Sequence, residues 1–422
     1  MTRPLLLVLA VIALALLIAP PFLSLGWQNA LIGMLIASLF AASFNLLIGY
    51  GGMLSFGHAA FFGVGAFATV HLMRLTEAGL AFPTVLLPLA GGLGGLAFGI
   101  VAGWFATIRS GVYFALITLA IAEMLHSLAP HLAATFGGES GISSMRMPWA
   151  GFAFGRLIEV YYLVLAWVTA CLLLLYGLTH TPFGRVTLGL RENEQRLRFL
   201  GYNVHRTKVM VFAVSALFSG IAGGLLVISN EVVNYSLFST HVSAQVVLHT
   251  FIGGAGMFLG PVFGASLMSF FAYVVSDLTR SWLLYQGLLF VLVMLFVPHG
   301  LAGLIAAHWH QARRLDWRAL AVPYAAAFAG GLLVVAGTAF TVECLEVVLS
   351  PRYKAAARAA GVLPAFEAFG MSLQPLSPLT WLPALLAVAF GVWLMLRTRR
   401  PIAAVWARIG NKDADLAEER EQ

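Results

Sequence analysis

Charge is what this sequence has least of. Of its 422 residues, 10% are Asp, Glu, Lys or Arg and 60% are hydrophobic, giving a mean hydropathy of +0.91. A soluble globular domain carries about 25% charged residues, so this chain could not keep a water-facing surface hydrated, whereas lipid-facing positions need no charge. Cysteine is nearly absent: Cys171 and Cys344 stand far apart with no CxxC pair, and Cys171 falls in an apolar run. That excludes a disulfide framework and a cysteine metal site, and no metal is expected. No Gly-Lys dipeptide occurs, so there is no phosphate-cradling P-loop. No G-x-S-x-G elbow occurs either, which removes the commonest nucleophile motif.

What is present is a series of apolar runs. A span needs about 20 predominantly apolar residues, and such runs lie near 5–25, 29–50, 58–73, 84–106, 112–130, 159–178, 208–229, 281–298, 319–341 and 379–396. The first, behind Arg3, lacks a convincing cleavage site and is expected to be retained. Between 229 and 281 an apolar stretch is interrupted by Gly253, Gly254, Gly256, Gly260 and Pro261. It predicts two half-helices, about 242–252 and 262–276, flanking a loop at membrane depth. The fold class is therefore all-α: a polytopic transmembrane helical bundle of about ten spans plus a re-entrant half-helix pair.

The formal net charge of +7 does not indicate nucleic acid, because the basic residues sit in short segments between apolar runs rather than along one face. They act as topology determinants, since cytoplasmic loops accumulate Lys and Arg. Arg185, Arg191, Arg196, Arg198, Arg206 and Lys208 mark one inner loop, Arg313, Arg314 and Arg318 a second, and Arg397, Arg399 and Arg400 the tail. These agree with both termini being cytoplasmic in a multi-pass protein. Segments 131–158 and 342–378 then lie outside, and Asp413 to Gln422 form a solvated acidic tail.

Three segments carry functional signal. Gly51 to Phe67 contains Gly51, Gly52, Gly57, Gly63 and Gly65 around Ser55 and His58. Each glycine weakens a lone helix by about 1 kcal/mol relative to Ala, but in a membrane glycines let backbones touch or let a helix break beside a cavity. Ser55, His58 and Gly63 are candidates to line a solute path, although His58 could equally bond a neighbouring carbonyl. The second segment, Phe251 to Ala265, holds Gly253 and Gly254, preceded by Gln245 and His249. Gly/Pro-interrupted segments in the two halves of a chain point to a transporter's central site. In the third, Pro182 and Gly184 open a turn, and 186–200 suits one helix closed by Gly201. With Leu197 and Leu200 on one face, it could dock into a partner's groove. Its candidate residues are Arg191, Glu192, Glu194, Leu197, Leu200 and Gly201.

These segments, in this order, resemble the permease family of branched-chain amino-acid ABC importers, the M-type (LivM-like) subunit. Arg109-Ser110-Gly111-Val112-Tyr113-Phe114-Ala115-Leu116-Ile117-Thr118-Leu119-Ala120 and Pro298-His299-Gly300-Leu301-Ala302-Gly303-Leu304 resemble further family signatures. The similarity covers about residues 5 to 305, so 1–305 is expected to be the importer permease core. Residues 306–422 form a C-terminal extension with two more spans and a cytoplasmic tail. The resemblance implies a bacterial inner membrane and four kinds of contact: ABC ATPase subunits, an H-type sister permease, a periplasmic solute-binding protein and the lipid bilayer. It also implies that 186–204 is the coupling helix in an ATPase cleft. The chain itself needs no cofactor, because ATP is bound by partner subunits. Where relatives carry small alanines before the loop glycine, this chain has Gln195-Arg196-Leu197-Arg198-Phe199.

The resemblance makes the chain a translocation subunit rather than an enzyme. Its solutes are branched-chain amino acids or related small molecules such as urea, amides and aromatic acids. A proton- or sodium-coupled secondary transporter is the rival, with Glu123, His58 and His249 as its relay. Glu123 costs a few kcal/mol in a span if unpaired, and His126, one turn on, could share its proton. Thr118 is expected to bond back to its own helix. A hydrolase using Ser55 and His58, three apart on one helix, lacks an orienting carboxylate. Gly137-Gly138-Glu139-Ser140-Gly141 is a candidate outer face for a binding protein or an ordinary loop.

Overall fold

The computed structural model describes residues 3–297, 299–311, 316–368 and 371–421. Pro298, Arg313, Arg314 and Gln422, used above, lie outside them. The helices are α1 (Arg3–Ile18), α2 (Leu25–Asn45), α3 (Ala59–Glu77), α4 (Leu87–Ala106), α5 (Val112–Leu128), the single turn α6 (Ala133–Phe136), α7 (Leu157–His180), α8 (Pro182–Glu192) and α9 (Glu194–Phe199). They continue with α10 (Val204–Asn230), α11 (Thr240–Gly253), α12 (Gly260–Leu278), α13 (Trp282–Phe296), α14 (Gly300–Gln311), α15 (Trp317–Leu349), α16 (Pro351–Ala360) and α17 (Pro378–Glu421). Two short antiparallel ladders complete the fold: β1 (Ile142–Ser143) with β2 (Val232–Val233), and β3 (Phe366–Ala368) with β4 (Met371–Leu373). Among the described residues, nine stretches are long and apolar enough to cross a bilayer, or ten if α13 and α14 form one broken span. This is a polytopic transmembrane helical bundle.

The chain divides into two compact units. The first comprises 1–274 and 286–305, the second 275–285 and 306–422. In the first unit, α3, α4 and α10 cross with backbones in contact. A Cβ on Gly91 would sit 2.5 Å from the Gly220 carbonyl, and one on Gly65 would overlap the Gly220 backbone. Only hydrogen fits at that crossing. In the second unit, α15 and α17 pack through Gly330 and Gly391, where a Cβ on either would meet the other's carbonyl at 2.8 or 2.5 Å. Segment 275–285 joins this unit through Ser281 Oγ, which donates to Glu346 at 3.0 Å, and the Tyr285 hydroxyl, which donates to Glu343 at 3.0 Å.

Three elements differ from the sequence expectation. The run 5–25 is not one helix: α1 stops at Ile18, because Pro20 and Pro21 cannot continue the hydrogen-bond ladder. The Gln28 amide then closes the break by donating to the Pro20 and Leu23 carbonyls, each at 3.1 Å. The single helix over 186–200 is instead α8 and α9, parted at Asn193, whose backbone is extended (φ −162°) and whose side chain accepts from Arg196 N at 3.0 Å. Asn193 is thus an N-cap. Finally, the interrupted stretch breaks at 254–259 into α11 of 14 residues and α12 of 19, and α12 is no half-helix but long and apolar enough to be a span by itself. Asn45, inside the apolar stretch Leu25–Tyr50, holds the loop between them at Gly256 and Met257.

That end of the first unit gathers the loops 50–58, 107–111, 182–203 and 254–259. Arg191 reaches Gly49, and Lys208 reaches Ser110. The opposite end is knit by Arg146 to Glu231 (3.1 Å), Ser144 to Glu77 (2.8 Å) and Thr84 to the Met147 carbonyl (2.6 Å).

Candidate solute path

The first unit holds a cavity of about 260 Å³ among α2, α11, α12 and α13, lined by Ala30, Gly33, Ala37, Gln245, His249, Ser269, Ala272, Tyr273 and Gln286. Its polar groups are two amides, an imidazole, a hydroxyl and a phenol, with no carboxylate, Lys or Arg. Helix geometry explains the grouping: Gln245 and His249 are four apart on α11, as are Ser269 and Tyr273 on α12, so each pair shares a face. Small residues on α2 leave room opposite them. A Cβ on Gly33 would meet nothing within 4 Å, and the cavity reaches the surface of the unit there, while Gln286 (3% exposed) and His249 (8%) lie deepest.

The sequence-derived path residues divide. Gln245 and His249 line this cavity, but Ser55, His58 and Gly63 do not. Ser55 lies in the irregular segment before α3 rather than on a helix with His58, is fully buried, and its Oγ accepts from Gly57 N at 3.3 Å. His58, also fully buried, packs against Phe40, Phe44 and Phe61, with Nε2 3.1 Å from Ser43 Oγ. Gly63 seats the Phe238 ring, which a Cβ would overlap. Gly253 packs on Gly260 and Gly264 of α12, and Gly254 takes φ +116°, a conformation open to glycine, to end α11 beside the His299 carbonyl. These glycines shape the bundle around the cavity without lining it.

Sequence reasoning missed Ser269, Tyr273 and Gln286. Gln286 could have been found: it is the one amide in an otherwise apolar helix, and such residues mark internal paths. Ser269 and Tyr273 carried no comparable signal. Glu123 and His126, expected to share a proton, make separate contacts: Glu123 accepts from the Thr240 hydroxyl and His126 Nδ1 faces the Tyr235 carbonyl at 3.4 Å. Thr118 does bond back to the Ala115 carbonyl (2.8 Å), and it also accepts from Phe56 N at 3.2 Å.

At the loop-rich end, the basic segment presents a different face from the one expected. Leu197 is 6% exposed and packs on Gly189, whereas Leu200 is 67% exposed. The two therefore do not share an outer face: α9 folds Leu197 back onto α8 and ends at Phe199, leaving Leu200 beyond it as C-cap. The exposed apolar group is Phe199 (91%), Leu200 and Tyr202 (46%), raised by Gly201 at φ +87°. Arg191 and Glu192 are both exposed at the end of α8, and Arg191 also donates to the Gly49 carbonyl. Glu194 pairs with Lys208 at 2.5 Å, and Lys208 Nζ also donates to Ser110 Oγ at 2.6 Å. Lys208 is 4% exposed, and a charge so buried persists only when paired and hydrogen-bonded.

Residues 27–298 match the family described as "Branched-chain amino acid transport system / permease component". The chain is 30% identical over 313 residues to the high-affinity branched-chain amino acid transport system permease protein LivM of Escherichia coli K12, covering 68% of this chain and 73% of that protein. It is 31% identical over 281 residues to the LivM protein of Salmonella typhimurium, covering 61% of this chain and 65% of that protein. Against the ribose import permease protein RbsC of Haemophilus influenzae, identity is 28% over 204 residues, 45% of this chain. No solved structure matches the chain. With one family matched across most of its bundle and a solute-sized polar cavity inside the matched region, the chain belongs to the branched-chain amino acid transport system permease components.

Proposed function

We propose that this chain is a path-forming subunit of an ATP-driven importer in a bacterial inner membrane, passing branched-chain amino acids or related small neutral solutes. The observation that carries the reading is the cavity of about 260 Å³ with uncharged polar groups and no ionised ring. Neutral amides and hydroxyls can bond a zwitterion or an amide, whereas a solute of high net charge would enter without compensation. The cavity opens at Gly33, where a sister permease subunit of the H type would close it. The exposed Phe199, Leu200 and Tyr202 beside the basic segment form the face for an ATPase subunit, placing that end and both termini in the cytoplasm by the positive-inside rule. The opposite end, with the Gly137–Gly141 turn, then meets a periplasmic binding protein.

The test is purification of the tagged chain from its own membranes, followed by reconstitution. Recovery of an ATPase, and ATP-dependent uptake of labelled leucine in preference to labelled glutamate, support the reading. Loss of the ATPase from the Phe199→Ser/Leu200→Ser variant locates the contact. A chain that purifies alone and moves leucine under a proton gradient defeats it.

A further inference from the structure

The basic segment was expected to present Arg191 to a partner; the residue is exposed, and its guanidinium also reaches back to a neighbouring loop. Arg191 leaves the last turn of α8 and its Nη1 donates to the Gly49 carbonyl at 2.5 Å. Gly49 lies in a π-helical turn (Leu46–Tyr50) that prolongs α2. The amides of Gly51, Gly52 and Met53 go to the Leu46, Ile48 and Leu47 carbonyls. The Gly49 carbonyl is thereby left beyond the end of the ladder, as an orphan acceptor that needs an outside donor. π-Turns inside α-helices are frequent at functional sites.

The same turn is clamped from its other side. Asn45, 1% exposed, donates Nδ2 to the Met257 carbonyl at 3.0 Å and accepts from Gly256 N at 3.1 Å through Oδ1. Both positions call for glycine: a Cβ on Gly49 would lie 2.7 Å from the Gly256 backbone N, and Gly256 takes φ +94°. Arg191, Gly49, Gly256 and Asn45 are thus one packed polar knot. The loop it grips, 254–259, joins α11, which carries Gln245 and His249, to α12, which carries Ser269 and Tyr273. Meanwhile Glu194 fastens the same basic segment to Lys208 at the start of α10.

We propose that Arg191 and Asn45 are positioning residues that couple movement of the basic segment to the cavity-lining helices α11 and α12. The idea rests on the importer reading above. A push delivered at the exposed Phe199–Tyr202 group reaches the path through the Arg191–Gly49 and Asn45–Gly256 bonds. Packed interiors transmit such displacements because they cannot deform continuously.

The test uses the complex reconstituted with its ATPase and binding-protein partners, reading solute imported per ATP hydrolysed. Arg191→Met keeps the aliphatic stem and removes the donor. It should assemble and hydrolyse ATP yet import about tenfold less solute per ATP, within the usual range of coupling between sites, while Arg191→Lys restores part of the ratio. Asn45→Gln keeps the amide but displaces it by one methylene, and should uncouple likewise. In the Gln245→Cys background, ATP-dependent change in labelling by an impermeant maleimide should vanish when Arg191→Met is added. An unchanged ratio in an assembled Arg191→Met complex overturns the proposal. So does failure of both Arg191→Met and Asn45→Gln to accumulate, because the knot would then serve folding alone. If the unaltered chain recruits no ATPase, the importer reading falls instead, and the two failures are distinct.

Discussion

Two sides of the first unit solve the problem of packing helices in lipid differently. On one, α3, α4 and α10 touch backbone to backbone at Gly65, Gly91 and Gly220, and 83% of the apolar stretch of α10 is buried. On the other, α2, α11 and α12 enclose a polar cavity, and only 22% of the apolar stretch of α12 is buried. Lipid supplies no hydrophobic drive between helices, so the first side relies on close van der Waals contact. The second side has one such contact, Gly253 on Gly260 and Gly264 at its loop end, and adds directed hydrogen bonds, such as Ser38 Oγ to Ser266 Oγ at 2.9 Å and the Asn45 clamp. A few bonds can be remade as helices shift, whereas a close-packed crossing cannot slide without overlap. The contrast separates a scaffold from a part able to move.

Breaking the scaffold should have the largest effect. Gly220→Leu drives a side chain into the Gly91 backbone, a strain of about 3 kcal/mol or more, and should leave almost no monodisperse protein after detergent extraction. Wild-type yield from that variant would mean the crossing gives way and the contrast is false. On the cavity side, Gly33→Trp enters open space, so yield should hold while uptake in proteoliposomes is lost. Equal loss of yield and uptake would show that α2 is as tightly packed as α10. Gln286→Leu is milder: removing one buried hydrogen-bonding amide forfeits about 1.4 kcal/mol, seen as roughly tenfold weaker solute affinity at similar yield. Least of all, Arg156→Ala removes an ion pair to Glu159 whose arginine is 79% exposed. It should change thermal stability by no more than about 0.5 kcal/mol, the usual worth of a surface pair.

The bundle was legible because transfer of apolar side chains into lipid is a local property that each run carries alone. The basic segments were legible for the same reason. Boundaries set by single residues were partly readable: Gly201 follows α9 as expected, but α8 starts at Pro182 where a turn was expected, and Asn193 was passed over, although an Asn before Glu194 is an ordinary N-cap signal. That one omission misplaced Leu197. Of the candidate path residues, Gln245 and His249 fall on the cavity wall, four apart on one face of α11. Ser55 and His58 lie fully buried away from that cavity, and fully buried polar groups look like path-facing ones in sequence.

Composition and the spacing of charge alone determined that the chain crosses a membrane many times, which loops are basic, and where helices must break. Only the tertiary structure decided that Arg191 bonds the Gly49 carbonyl, that His58 is sealed among phenylalanines, and that Tyr273 and Gln286 line one cavity with Gln245. The physical reason is that solvation energy is summed residue by residue, whereas the direction a side chain faces depends on which distant backbone occupies the space beside it.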